Sequence, residues 1–217
     1  VEHLTQTTEC VAALNAATLV PAAVKEAMLT TNSTLDQTLK NTLSFMGNEE
    51  RLAYDVYNKL YETSPSVTQL TNIATKSEIA HIQAVQLLVK KYITSYDEFT
   101  NTDLNELGYK DTQVADMQAG TYDISELQNL YYALVAKGAT SDRDALEVGC
   151  MVEVTDINDL DRDVALAQAA NATDVATTFE FLRTASYAHY WAFDSGLVAM
   201  GETTGCCSLG IIDGVNY

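Results

Sequence analysis

Residues 74–92 read ATKSEIAHIQAVQLLVKKY and repeat with the period of an amphipathic α-helix. Two polar residues, Glu78 and His81, interrupt the apolar face that Ala74, Val85 and Leu88 define. Residues three apart on an α-helix lie about 60° apart around the axis, so both side chains project from that face. A buried charge without a partner costs several kcal/mol, so the pattern predicts that a partner or a metal ion compensates them.

Only two prolines, Pro21 and Pro65, interrupt long stretches of helical periodicity, and this favours an all-α fold. Four long helices are predicted. The first is capped by Ser33 or Thr34 and ends near Thr63, because a residue that precedes proline avoids the α region. The second runs over about 67–92.

The third and fourth helices follow a long connection, residues 93–140, which contains a further predicted helix over 125–137. Ser141 and Asp144 resemble a capping box that opens the third helix, over about 142–170. Thr173 opens the fourth. Two helix pairs joined by one long crossover predict the ferritin-type topology of a four-helix bundle.

The chain has 217 residues, of which 47% are hydrophobic, and this is enough for one sizeable core. We predict one bundle domain, residues 33–197, between an N-terminal arm, residues 1–32, and a C-terminal arm, residues 198–217. The formal charge of −18 and the pI near 4.2 argue against nucleic acid and anionic membrane surfaces as partners. No apolar run approaches the roughly 20 residues of a membrane span.

Several features favour an extracytoplasmic or secreted location. Asn32 and Asn171 begin glycosylation sequons, although chance or helix capping by Thr173 explains these short matches as well. The chain opens at Val1 and not at methionine, which a removed secretory signal or a cloning boundary would explain equally.

The four cysteines allow three pairings into two disulfides. Adjacent Cys206 and Cys207 should not readily bond to each other, so we expect Cys10 to bond to one of them. Cys150 lies one turn from Glu153 and is interpreted as a small buried hydrophobe more readily than as a metal ligand.

Each predicted long helix carries an inward polar group, and together these are Glu50, Glu78 with His81, Glu153, and His189. A lone histidine on an apolar face is more often a hydrogen-bonded core residue than a ligand. Five such groups on four helices are harder to satisfy with protein partners, because the chain has only 12 lysines and arginines. Carboxylate and imidazole ligands in this mixture suit iron or manganese, and zinc less specifically.

Four segments carry a resemblance to a known family: NEERLAYDVY (48–57), SEIAH (77–81), GCMVEVTDI (149–157) and SYAH (186–189). In this order they resemble the ferritin-like superfamily, and most closely its branch called domain of unknown function 2202. The resemblance implies a metal-binding bundle, often di-iron in the superfamily, and no established reaction. Oxidation of bound iron by dioxygen or peroxide is likewise implied by the superfamily.

The chain departs from the superfamily pattern at Ser186, where a typical di-iron protein has a glutamate three residues before its histidine. This puts two-metal occupancy in doubt, so the expectation is one or two ions. Asp156 is either the missing carboxylate or a solvated residue at the edge of the stripe. Glu147 lies about 240° around the helix from Glu153. Glu49 is expected to be the solvated neighbour of Glu50.

Two functions therefore remain open. The first is a metal-binding, iron-oxidising protein with Glu50, Glu78, His81, Glu153 and His189 as ligands. The alternative is a structural, self-assembling subunit that forms a homo-oligomer through its terminal arms, with Cys10, Cys206 or Cys207 bonding between chains.

Overall fold

The computed structural model describes residues 11–95 and 112–217, and this part of the chain is mostly helical, as predicted. The α-helices are α1 (Ala22–Thr30), α2 (Gln37–Thr63), α3 (Thr68–Ile73), α4 (Ile79–Tyr92), α5 (Ser125–Gly138), α6 (Asp142–Ala169) and α7 (Thr173–Ala199). Residues 11–16 are helical too. A short antiparallel hairpin of β1 (Ile211–Ile212) and β2 (Val215–Asn216) ends the chain. Within the described ranges, no helix is long and apolar enough to cross a membrane.

Side-chain caps explain where two of the long helices, α2 and α6, begin. Asp36 caps α2, because its side chain accepts a hydrogen bond from the Leu39 amide at 2.9 Å. The prediction of Ser33 or Thr34 as the cap was wrong, since the Ser33 hydroxyl donates instead to Asp174. Ser141 caps α6 through the amide of Asp144, at 3.0 Å, as the sequence indicated.

The segment predicted as one helix over 67–92 contains a π-helical turn, Ala74–Glu78, between α3 and α4. A π turn holds more residues than an α turn, so it rotates the side chains that follow it relative to those before it. Such turns are frequent at functional sites. Here the turn contains Ser77 and ends at Glu78, directly before the helix that carries His81.

The long helices pack around two apolar clusters. Helix α2 contacts α4 and α6, and α7 contacts α6 and α4, while α5 covers α2 and α6. The first cluster includes Leu39, Leu43, Ile82, Val164 and Phe179. The second cluster includes Val56, Leu60, Leu70, Leu146 and Phe193.

The boundary between the two clusters lies at the same level on each long helix. On α2, Met46 belongs to the first cluster and Val56 to the second, so Glu50 lies between them. On α7, Leu182 and Phe193 enclose His189 in the same way. The fold therefore places a polar layer between two apolar cores.

The described part of the predicted N-terminal arm packs onto its own chain. Leu14, Val20, Val24 and Met28 are buried in the first cluster, and α1 contacts α7. Lys91 secures the end of α1, because its ammonium group donates to the carbonyl oxygen of Met28 at 2.7 Å.

A disulfide joins Cys150 on α6 to Cys206, with 5.7 Å between their Cα atoms. The prediction that Cys10 bonds to Cys206 or Cys207 was therefore wrong for Cys206. Cys150 is buried, as expected, but as one half of the disulfide. The 3₁₀ turn Gly205–Leu209 folds back over α7, so that Cys206 is buried while Cys207 is exposed and free. Cys10 lies outside the described residues.

The disulfide should stabilise the fold, because it closes a loop between residues 56 positions apart. We expect the double variant Cys150→Ser, Cys206→Ser to lose roughly 2–5 kcal/mol of unfolding free energy. Cys207→Ser is the matched control and should unfold like the wild type. Urea denaturation followed by circular dichroism measures the difference, and equal midpoints for all three proteins would contradict it.

Candidate metal centre

The structure brings together all five side chains that the sequence singled out. Glu50 comes from α2, Glu78 from the end of the π turn, His81 from α4, Glu153 from α6 and His189 from α7. All five are buried in the polar layer between the two clusters. Each of α2, α4, α6 and α7 thus contributes one carboxylate or imidazole to a common centre, and the π turn contributes Glu78.

The five residues form two groups that share Glu78. In the first, the Nδ1 atom of His81 lies 2.8 Å from Glu50 Oε2 and 3.0 Å from Glu78 Oε2. In the second, the Nδ1 atom of His189 lies 3.2 Å from Glu78 Oε1 and 3.3 Å from Glu153 Oε2. Glu78 therefore presents one oxygen to each imidazole.

Each group is compact enough to hold a metal ion, because its three candidate ligand atoms lie within 4.8 Å of one another. The two imidazole rings are stacked, with their centroids 5.6 Å apart. One carboxylate oxygen of Glu50, Oε1, is buried without a hydrogen-bond partner among the described residues. Such an orphaned acceptor is costly unless a cation or a proton satisfies it.

Two hydroxyl groups hold the candidate ligands in place from outside. Ser77 Oγ lies 2.7 Å from Nε2 of His189 and 3.5 Å from Nε2 of His81. Tyr57 donates a hydrogen bond to Glu153 Oε1 at 2.5 Å. Groups of this kind fix the orientation of a histidine or carboxylate ligand. Sequence reasoning missed Ser77, although its place one helical turn before His81 was a usable signal.

Ser186 occupies the position on α7 where a second glutamate was expected, and Asp156 on α6 lies beside it. Both are buried, and the Ser186 hydroxyl hydrogen-bonds to Asp156. The solvated alternative for Asp156 is therefore wrong, because a neighbouring helix covers this face. Asp156 belongs to neither of the two three-residue groups.

The two remaining glutamates differ in their surroundings. Glu49, expected to be solvated, is buried at 8% exposure, because the face of α2 beside Glu50 lines a cavity and not the surface. Glu147 points away from the centre and pairs with Lys137 at 2.6 Å and with Arg143 at 3.0 Å. Its ion pairs leave it no role at the centre.

The pKa values of the buried groups show how imidazoles and carboxylates compensate one another's charge in the polar layer. Burial raises the pKa of Glu50 to about 7, although the neighbouring His81 opposes the rise. Burial disfavours a charged His189, yet the carboxylates of Glu153 and Glu78 raise the pKa of this ring to about 10. Burial likewise disfavours ionised Glu78, but the two imidazoles lower its pKa. Protons on the imidazoles thus compensate the buried carboxylates.

The fold and the site together define an all-α protein with buried carboxylate–histidine groups that can hold metal ions. The chain belongs to the family described as "Uncharacterized protein domain (DUF2202)", which matches residues 39–209.

A relative from Methanocaldococcus jannaschii, the uncharacterized protein MJ0754, is 32% identical over 154 residues, or 71% of this chain and 72% of the relative. The crystal structure of that hypothetical protein matches with a TM-score of 0.64 and 29% identity, over 80% of this chain and 86% of the other. Both likenesses support the family and the fold, so the function has to be argued from the site.

Metal binding should release protons, because the raised pKa of His189 keeps its ring protonated near neutral pH and a ligand nitrogen must be deprotonated. We expect the affinity for Mn²⁺ to rise as the pH increases from about 6 to about 8, by up to about tenfold per pH unit for each proton released. Calorimetry in two buffers with different ionisation enthalpies counts the protons. An affinity that does not change with pH, with the same heat in both buffers, would refute the expectation.

Proposed function

We propose that this protein is a ferritin-like metalloprotein that binds one or two iron ions through Glu50, Glu78, His81, Glu153 and His189. The observation that carries the proposal is the pair of buried carboxylate–imidazole groups that share Glu78. Manganese and zinc are the other metals that such ligands accept. When bound, iron would supply electrons to dioxygen or peroxide and itself become oxidised.

The donor set supports iron in particular. Three carboxylates and two imidazoles form a hard, oxygen-rich environment, and anionic oxygen donors stabilise the more highly charged, oxidised metal. Because the two oxygens of Glu78 face different imidazoles, Glu78 would help to hold each ion if two ions bind. The geometry of Glu78 thus allows for two ions, even though α7 carries Ser186 in place of a second glutamate.

The chain's own residues would prepare this chemistry. Tyr57 holds Glu153, and Ser77 holds His189, so these two ligands would be oriented before a metal ion binds. The two apolar clusters exclude water above and below the layer, and this strengthens the electrostatic interactions inside it.

The wider assignments are part of the same proposal. Residues 33–197 form a ferritin-like four-helix bundle with one long crossover, between arms at residues 1–32 and 198–217. The helix contacts around the centre support this architecture. The disulfide Cys150–Cys206 supports an extracytoplasmic location, because disulfides persist in oxidising compartments.

The alternative, a self-assembling structural subunit, is favoured by two features of the C-terminal arm. Ile211 is 72% exposed, and Cys207 is an exposed free thiol. In the N-terminal arm, Leu14, Val20, Val24 and Met28 are already buried in their own chain and are not available to a neighbour, whereas Leu19 and Leu29 are exposed. Under this alternative, protein purified without chelators would contain no bound metal.

Metal content distinguishes the two functions. We expect metal analysis of the wild type, purified without chelators, to find iron, and Glu78→Gln to lose at least about ninety per cent of it, because an amide cannot offer two anionic oxygens. Glu147→Gln removes a buried, ion-paired carboxylate outside the centre and should retain the metal. Equal iron in the wild type and Glu78→Gln would overturn the proposal.

Ser77 provides a separate test of the ligand geometry. Ser77→Ala removes the hydroxyl beside both Nε2 atoms and should weaken Mn²⁺ binding by roughly 10–100-fold. Ser44→Ala is the matched control, because its buried Oγ has no hydrogen-bond partner in the described part of the chain. If both variants bind Mn²⁺ like the wild type while keeping its thermal stability, Ser77 does not position the ligands.

A further inference from the structure

A cavity of about 160 Å³ lies directly beside the candidate metal centre. Glu50, Glu78 and Glu153, three of the five candidate ligands, form part of its wall. On its other side the cavity is lined by the C-terminal hairpin, through Ile212 and Val215. Any molecule in this space would therefore lie within reach of a bound metal ion.

The remaining walls of the cavity are mostly apolar. They come from α2, α5 and α6, through Leu52, Ala53, Leu130, Leu134, Met151 and Val152. A wall of this kind favours uncharged apolar ligands, because such molecules gain free energy on leaving water. A cation in the cavity could replace its lost water only with the carboxylates of the wall, so it would lie against them and leave the apolar part of the wall without a partner.

The charged residues around the cavity exclude anions. Beside the candidate ligands they are Glu49, Asp156 and Asp213, and no basic residue lines the cavity in the described part of the chain. An anionic molecule would meet carboxylates and find no cation to pair with. An uncharged, apolar ligand would fit the apolar part of the wall, which neither an anion nor a cation can do.

The disulfide at Cys206 ties the segment before the C-terminal hairpin to α6, and the hydrogen bond from the Tyr217 amide to the Gly210 carbonyl, at 3.0 Å, closes the hairpin itself. The side chains of the hairpin point to two opposite sides. Ile212 and Val215 face the cavity and are half-buried, while Ile211 is exposed. The hairpin therefore adds two apolar side chains to the wall of the cavity.

We propose that this cavity is a binding site for an uncharged, apolar molecule of about six carbon atoms. The size follows from the volume, since an apolar cavity of about 150 Å³ holds one benzene molecule. The role of this molecule as a substrate of the metal centre rests on the proposed function. Its binding does not, because the walls are made by the polypeptide alone.

The experiment uses the full-length, metal-free protein and benzene as the probe, with benzoate as an anion of the same ring. We expect saturable benzene binding by ligand-observed NMR, and binding of benzoate at least about tenfold weaker. Val152→Phe fills the cavity and should weaken benzene binding by at least about tenfold. Val198→Phe adds the same bulk at an exposed position outside the cavity and should bind benzene like the wild type.

Ala53→Leu fills the same space from α2 and serves as the second filling variant should Val152→Phe not fold. The proposal is overturned if the wild type shows no saturable benzene binding, if the folded filling variants bind as tightly as the wild type, or if benzoate binds as well as benzene. Because the protein is metal-free, failure here leaves the metal analysis intact. Benzene binding by a protein that never holds metal would instead refute the proposed function alone.

Discussion

The position of Glu78 between two imidazoles is the constraint on which the rest of the structure depends. Its carboxylate lies about 3 Å from Nδ1 of His81 and of His189, and all three groups are buried. Removing one partner from a buried ion pair costs roughly 3–5 kcal/mol, because the other charge remains without compensation. The helices must therefore meet at this level, because otherwise the uncompensated charges of the polar layer would greatly lower the free energy of unfolding.

The layer is tolerated because apolar cores lie on both sides of it. The first cluster packs α1 against one end of the long helices. The second cluster, at their other end, includes the disulfide residues Cys150 and Cys206. Stability can thus come from the two ends of the molecule, while the middle keeps charged groups that a uniform apolar core would lack. A site that weakens the core is usually retained for function.

Much of this arrangement could be predicted from the sequence, because helical periodicity and end signals are local. Glu50, Glu153 and His189 each interrupt an apolar stripe, and this interruption singled them out as candidate ligands. The π turn at residues 74–78 could not be predicted, because a shift of one residue in the hydrogen bonds hardly alters the apolar period. The partner of Cys206 depends on how the C-terminal segment folds back over α7, and the burial of Glu49 depends on the cavity beside it.

The two three-residue groups are chemically unequal, and this bears on how the proposed centre would work. Both oxygens of Glu153 are engaged, one by Tyr57 and the other by His189, whereas Glu50 keeps one buried oxygen without a partner in the described structure. Glu78 Oε1, the oxygen that faces His189, also has no hydrogen-bond partner in the described structure, so each group keeps one acceptor that an ion could satisfy. The difference lies in the third ligand: Tyr57 fixes Glu153 in the group around His189, whereas Glu50 in the group around His81 is free to turn one oxygen toward an ion.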